Sequence, residues 1–243
     1  MIRIEKLNKR LTSKNGKYTI FDGLSIHIER GKVTFITGES GSGKTTLLNI
    51  LSFLDHDYEA EFTFDNEKVG RLSERKRARI RRERIGFVFQ NYALIPELTI
   101  LENVMLPARL LNRSKREATE RAAEVLQRVG ITKDLDAKSN GGNGKRAGFW
   151  HKFPHETSGG QNQRIGIARA LVHRPDIIFC DEPTGNLDDG TAWKIMQYLL
   201  KYQCEEGERT LVIVTHNRKL LEFADRHLEL KKKEGQPSKI KIG

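Results

Sequence analysis

Residues 38–45 read GESGSGKT, a run of glycines ending in a lysine and a hydroxyl residue. That spacing lets a backbone loop wrap a phosphate. Gly38, Gly41 and Gly43 allow the turn, with Glu39, Ser40 and Ser42 between them, and the loop's N–H groups face inward. Lys44 reaches terminal phosphates, the Thr45 hydroxyl suits Mg2+, and Thr46 continues into a helix whose positive end favours the same anion. A second group is IIFCDEP at 177–183, an apolar run ending in two carboxylates. Asp181 suits an outer-sphere hold on Mg2+, and Glu182 suits a base that polarises an attacking water. A third is TSGGQNQR at 157–164, where Ser158, Gly159, Gly160 and Gln161 stand directly before the helical run GIARALV. Serine and free glycine N–H groups at a helix start make another anion site. One compact domain does not bring two such sites to one nucleotide without special arrangement. A head-to-tail pair of chains does, each offering its SGGQ to the other's triphosphate.

These groups need elements to hold them. Residues 32–37, KVTFIT, read as a short strand entering the glycine loop, and TTLLNILSFL beyond it has helical spacing. Upstream, Ile2, Ile4, Ile20, Leu24, Ile26 and Ile28 alternate with polar residues around a turn at Lys14, Asn15 and Gly16, predicting antiparallel strands. Residues 71–84, RLSERKRARIRRER, predict an exposed basic helix that ends where the strand IGFVFQ begins at Ile85. From Asn91 to about Val129 the pattern predicts helix, with Gly130 as a C-terminal cap. Residues 138–152, KSNGGNGKRAGFWHK, predict a mobile loop with Trp150 as its one large anchor, either a partner-recognition element or an inert surface loop. Then follow a helix after SGGQ, the strand DIIFCDE, a helix over Ala192 to Tyr202, the strand TLVIVTH and a polar, lysine-rich tail. Strands alternating with helices predict an α/β fold with a mainly parallel sheet.

Composition narrows the class. The 243 residues suffice for one large domain, and no stretch approaches the roughly 18–20 apolar residues of a membrane-spanning helix. The start MIRIEKLNKR lacks the apolar centre of a signal peptide, so a cytosolic chain is expected. Cys180 and Cys204 form no metal-ligand spacing. A net charge of +11 suits a phosphate-bearing partner, nucleic acid or anionic membrane.

Taken in order, the motifs resemble those of the ABC ATPase family. GESGSGKT is similar to its Walker A motif, Gln90 to its Q-loop glutamine, TSGGQ to its signature, IIFCDE to its Walker B motif, GNLD at 185–188 to its D-loop, and His216 after TLVIVT to its switch histidine. The resemblance implies a P-loop NTPase (RecA-like) core carrying a small N-terminal antiparallel β subdomain (about 1–35 and 58–70) and an inserted helical subdomain (about 91–165), all in one domain over 1–243. It also implies ATP sandwiched with Mg2+ in a homodimer or pseudo-dimer, Gln90 and His216 reading the γ-phosphate, Thr45, Gln90 and Asp181 at the metal, and Glu182 driving hydrolysis. RIGFVFQNYALIPELTILENVMLPARLL and DEPTGNLD resemble the subgroup of lipoprotein-releasing, macrolide-exporting and cell-division (Lol, Mac, Fts) ATPases. That subgroup implies a separate integral membrane permease and a place on the cytoplasmic face of the inner membrane. Apolar residues between Asn91 and Leu111 are divided between helical core and permease-gripping surface.

Two departures stand out. Leu11 occupies the position where the family carries an adenine-stacking aromatic, with Tyr18 or Phe21 as substitutes out of register, and Thr157 replaces the leucine that opens the signature. A competing reading is a soluble ABC ATPase that remodels ribosomes, DNA or metal clusters, which the basic charge favours. A single cassette, without coiled-coil heptads, zinc-ligand cysteines or a base-stacking aromatic stripe, disfavours it, so no nucleic-acid partner is expected. A module that had lost catalysis would show damage among Lys44, Thr45, Gln90, Asp181, Glu182 and His216, and all are present.

Overall fold

The computed structural model describes residues 1–13, 16–133, 148–185, 187–205, 209–232 and 236–242. The expected turn residues 14 and 15 and most of the 138–152 segment lie outside that set.

β1 (Ile2–Ser13) pairs antiparallel with β2 (Gly16–Ile28) and with β4 (Glu59–Phe64), which in turn pairs with β5 (Glu67–Lys68). Ile2 and Ile4 face inward in strict alternation. The register then shifts at Lys6, whose φ is 52°, so that Leu7 and Lys9 take the inward phase. Lys9 is thereby buried, and its ammonium is matched by Asp55 at 2.9 Å and Asp57 at 3.3 Å.

The second sheet has six strands in the order β10-β9-β3-β8-β7-β6. β3 (Val33–Gly38), β6 (Ile85–Val88), β7 (Ile177–Asp181), β8 (Thr210–Val214) and β9 (Arg226–Lys231) run parallel, and β10 (Lys239–Ile242) closes the edge antiparallel to β9. β7 and β8 are buried almost throughout, as strands covered on both faces must be. α1 (Lys44–Leu51) follows β3, α2 (Glu74–Arg84) precedes β6, α3 (Ile100–Leu110) and α4 (Lys115–Arg128) form a pair, and α5 (Gly159–Leu171) and α6 (Asp189–Glu205) flank β7. No helix among the described residues is long and apolar enough to cross a membrane.

Several expected boundaries move. The helix expected from Asn91 begins only at Ile100. Buried Asn103 bonds the preceding loop with its side-chain amide, accepting from the Ile95 N–H at 2.8 Å and donating to the Ile95, Leu98 and Thr99 carbonyls. The basic helix begins at Glu74, because the Ser73 hydroxyl caps it by accepting from the Lys76 N–H. Gly130 does follow α4 as its cap, with φ 73°. Trp150 is buried and donates to the Ile131 carbonyl at 3.0 Å, but Phe149 is buried beside it, so that segment has two anchors. The polar tail is a further correction: Leu228 and Leu230 alternate inward, and residues 226–231 and 239–242 join the main sheet.

Candidate functional site

The site begins where β3 ends. Gly41 and Gly43 have φ of 74° and 90°, in the region that favours glycine. At Gly43 space demands it as well, since a Cβ would stand 2.8 Å from Ile20 Cγ2 and 3.0 Å from Phe21 Cζ. The chain then enters α1, so the first N–H groups of that helix and those of the loop converge on one spot. Lys44 Nζ donates to the Gly38 and Glu39 carbonyls at 2.8 and 3.0 Å, which sets the ammonium across the mouth of the loop.

Neighbouring parallel strands supply the opposite wall. Thr45 Oγ1 lies 3.4 Å from Asp181 Oδ1 at the end of β7. Burial, the largest cause, and the adjacent Glu182 push the Asp181 carboxyl above its ordinary range, while Thr45 and Lys44 pull it down. Glu182 has φ 45°, a left-handed conformation that a glutamate holds only when its surroundings fix it. Its N–H donates to the Val214 carbonyl at 2.9 Å, and its carbonyl accepts from the Gly185 N–H at 3.1 Å. The carboxylate is turned to His216, with Oε2 2.9 Å from Nδ1 and accepting from the His216 N–H at 3.3 Å. Glu182 is nearly buried whereas His216 is exposed, so the pair spans the boundary between core and solvent.

These residues enclose a cleft of about 620 Å³. Ser40, Gly41, Gly43, Lys44, Thr45 and Thr46 form its floor, and Gln90, Asp181, Glu182 and His216 its wall. Gln90 is exposed at the end of β6 with its amide beside Gly185. Gly38 and Glu39 border an adjoining cleft that shares His216, and Ser42 is buried behind the loop. Leu11 and Tyr18, cross-strand neighbours in β1 and β2, line the cleft together with Ile20. Phe21 is fully buried under Gly43 and does not reach it.

Ser158, Gly159, Gly160 and Gln161 stand apart from this cleft. Helix α5 starts at Gly159 rather than after the glycines, because Ser158 and Gln161 form a capping box. The Ser158 N–H donates to Gln161 Oε1 at 2.8 Å, and the Gln161 N–H donates to Ser158 Oγ at 3.3 Å. The S-x-x-Q spacing carried that signal. The box leaves the Gly159 and Gly160 N–H groups in the first turn without an intrahelical acceptor and leaves the Ser158 hydroxyl proton free to donate. Thr157 replaces apolar packing with a polar turn: its hydroxyl donates to the Pro154 carbonyl at 2.9 Å and lies 2.6 Å from Asn162 Oδ1.

Three residues with no local signal in the sequence join these motifs. Arg169 of α5 donates to the Tyr92 and Ala93 carbonyls at 2.8 and 2.5 Å, tying the segment after Gln90 to the signature helix. Lys232, just past β9, lines the cleft, and Ser238 reaches the glycine loop from behind.

The hard oxygen donors of Thr45 and Asp181, side by side near Lys44, fit a small divalent cation bound together with phosphate oxygens.

Comparison with known proteins gives the same family. The family described as "ABC transporter" matches residues 21–185. The lipoprotein-releasing system ATP-binding protein LolD of Aquifex aeolicus (strain VF5) is 38% identical over 231 residues, 95% of this chain and 94% of that protein. Among solved structures, the dimeric structure of MJ0796, a bacterial ABC transporter cassette, superposes with a TM-score of 0.84 at 38% identity, covering 100% of this chain and 98% of the other. A second MJ0796 dimer, in a post-hydrolysis state bound to ADP and Pi, superposes with a TM-score of 0.84 at 37% identity over the same shares.

Proposed function

The chain belongs to the ABC transporter family as an ATP-binding, ATP-hydrolysing subunit, and from that premise we propose that two copies close head-to-tail on two ATP molecules to drive a separate integral membrane permease. The observation that carries this reading is the division of the site. A cleft with floor, base and histidine is complete in one chain, while Ser158–Gln161 sits outside it at a helix start whose Gly159 and Gly160 N–H groups have no intrahelical acceptor. A second copy supplies the missing face.

In this reading the loop 38–45 and Lys44 bind the triphosphate, and Thr45, Gln90 and Asp181 hold Mg2+. That ion supplies charge neutralisation on the phosphate oxygens when bound. Glu182 orients the attacking water and accepts its proton. His216, already bonded to that carboxylate, fixes its direction and faces the γ-phosphate together with Gln90. The partner's Ser158, Gly159, Gly160 and Gln161 are assigned to the same phosphate from the other side. Residues 1–243 form one ATP-binding domain, with antiparallel β and helical subdomains around the RecA-like core. The cargo class follows the relatives: work on a lipid-modified protein, on the pattern of the lipoprotein-releasing system. The chain is assigned to the cytoplasmic face of the cell membrane.

The test uses Glu182→Gln. Its hydrolysis rate is expected to fall by about 10²–10⁴, the usual worth of a general base, while an ATP-bound dimer accumulates on sizing. Affinity purification of that variant from detergent-solubilised membranes with ATP is expected to bring a permease in stoichiometric amount. Recovery of ribosomal or DNA-bound partners alone would overturn the transporter reading, and an unchanged rate would remove Glu182 as the base.

A further inference from the structure

The family match ends at residue 185, yet a segment beyond it bonds the back of the glycine loop that floors the cleft. β9 and β10 form an antiparallel hairpin at the sheet edge, with Lys239 opposite Lys231 and Ile240 opposite Leu230. Just before β10, Ser238 is buried at 2% exposure. Its N–H donates to the Ile20 carbonyl at 2.8 Å, and its hydroxyl donates to the Ser42 carbonyl at 2.9 Å. On the other strand of the hairpin, β9 runs so close to the loop entrance that a Cβ on Gly38 would lie 2.5 Å from the Leu230 carbonyl. The glycine loop is therefore braced from behind by residues nearly 200 positions away.

The contact at Ser42 has a directional consequence. The Ser42–Gly43 peptide is trans, and in a trans plane the carbonyl of one residue and the N–H of the next point in opposite directions. Holding the Ser42 carbonyl on the buried side turns the Gly43 N–H toward the cleft that Gly43 lines. Gly41 and Gly43, free of a Cβ and both in the left-handed region, restrain that plane little by themselves, so the bond from Ser238 is what holds it. We propose that Ser238 is a positioning residue for nucleotide binding, acting through the Ser42 carbonyl to aim the Gly43 N–H at the phosphates, and that the β9–β10 hairpin is thereby part of the ATP site. The proposal rests on the reading of residues 38–45 as the triphosphate loop.

Ser238→Ala removes the donor and leaves the fold's apolar contacts in place. The expected result, read by isothermal titration, is a Kd about fivefold higher for ATP and for ADP alike, the worth of one neutral hydrogen bond. Both ligands carry the phosphates that a glycine loop cradles, so both should move by the same factor. Ser238→Cys, a weaker donor of similar shape, should fall between the two, and it covers the case in which the alanine variant does not fold. Tyr202→Phe is the control for a merely structural role, since it deletes one buried hydrogen bond, to the Leu171 carbonyl at 3.1 Å, away from the loop. It should lower the thermal midpoint without changing either Kd. A Ser238→Ala protein that loses thermal stability like the control but keeps wild-type Kd values would overturn the proposal, as would a shift for ATP but not ADP. A wild-type chain that binds no ATP would instead sink the triphosphate reading itself, and the two failures are told apart by that one titration.

Discussion

The chain presents two helix N-termini suited to anions, the start of α1 and the start of α5, and they are finished to very different degrees. At α1 the glycine loop, Lys44, Asp181, Glu182 and His216 enclose the anion position, and Ser238 braces the loop. At α5 the local device is equally well made, a closed capping box, but it stands outside that cleft, with Tyr92, Leu187 and Thr191 beside its glycines. On the proposed reading, binding is a property of one chain, and catalysis a property of two. The sharpest test is a pair of substitutions. Lys44→Ala should raise the Kd for ATP by more than about 100-fold, since charge-assisted contacts to phosphate are lost outright. Ser158→Arg should leave that Kd within about twofold but reduce hydrolysis by at least about 100-fold and abolish ATP-dependent dimers on sizing. If Ser158→Arg weakened binding by the isolated chain as much as Lys44→Ala does, the division between the two sites would collapse.

How far each site was legible in the sequence follows the range of the interactions that build it. GESGSGKT announces itself because its glycines, lysine and threonine act within one turn of chain, and the parallel sheet follows from strands alternating with helices. The start of α5 was equally local, since Ser158 and Gln161 are three residues apart. What stayed hidden depends on partners far along the chain. Asn103 keeps residues 95–99 out of helix through side-chain bonds that periodicity does not register. Asp181 and Glu182 were recognisable as a pair of carboxylates, but the left-handed turn at Glu182 and its bond to His216 exist only because β7 and β8 are adjacent. Ser238 and Arg169 carry no motif at all, and their contacts are set by tertiary register.

The same contrast runs along α5 itself, from its exposed start to its buried end. Beyond Leu171, His173 bonds the Ile85 carbonyl through Nε2 at 3.0 Å, which fastens this end of the helix to β6. Burial, the main cause, lowers its pKa to about 4, with nearby Arg209 adding to the effect and the Ile85 bond opposing it. The native state therefore keeps His173 neutral where the unfolded chain, titrating near 6.5, takes up a proton. Its contribution is complete above pH 6.5 and is lost as pH falls toward 4, by up to about 3 kcal/mol. Urea unfolding of wild type and His173→Gln between pH 4.5 and 7 should show a shallower loss in the variant. Parallel curves would mean that this end of α5 is not the acid-sensitive joint, and that the two ends differ less than their burial suggests.

The smallest expected effect separates the two ends of the cleft at α1. Its phosphate end is built from backbone and charge, which leaves little room for variation, whereas its other end is walled by Leu11, Tyr18 and Ile20. Phe21 is committed to the core, so Tyr18, 46% exposed and directly across the β1–β2 ladder from Leu11, is the only one of the expected substitutes whose ring can lie on the base. Moving the aromatic one strand over keeps a flat apolar face at the same edge of the cleft, because cross-strand partners sit about 5 Å apart. Tyr18→Ala should raise the KM for ATP about five- to tenfold with kcat unchanged, the loss of one ring contact. Leu11→Ala should raise it about twofold, from the smaller apolar area removed, and Tyr18→Trp should keep or lower it. A larger effect at Leu11 than at Tyr18 would put the base on the β1 side and make the tyrosine a bystander, and equal, negligible effects would mean that the phosphates alone determine affinity.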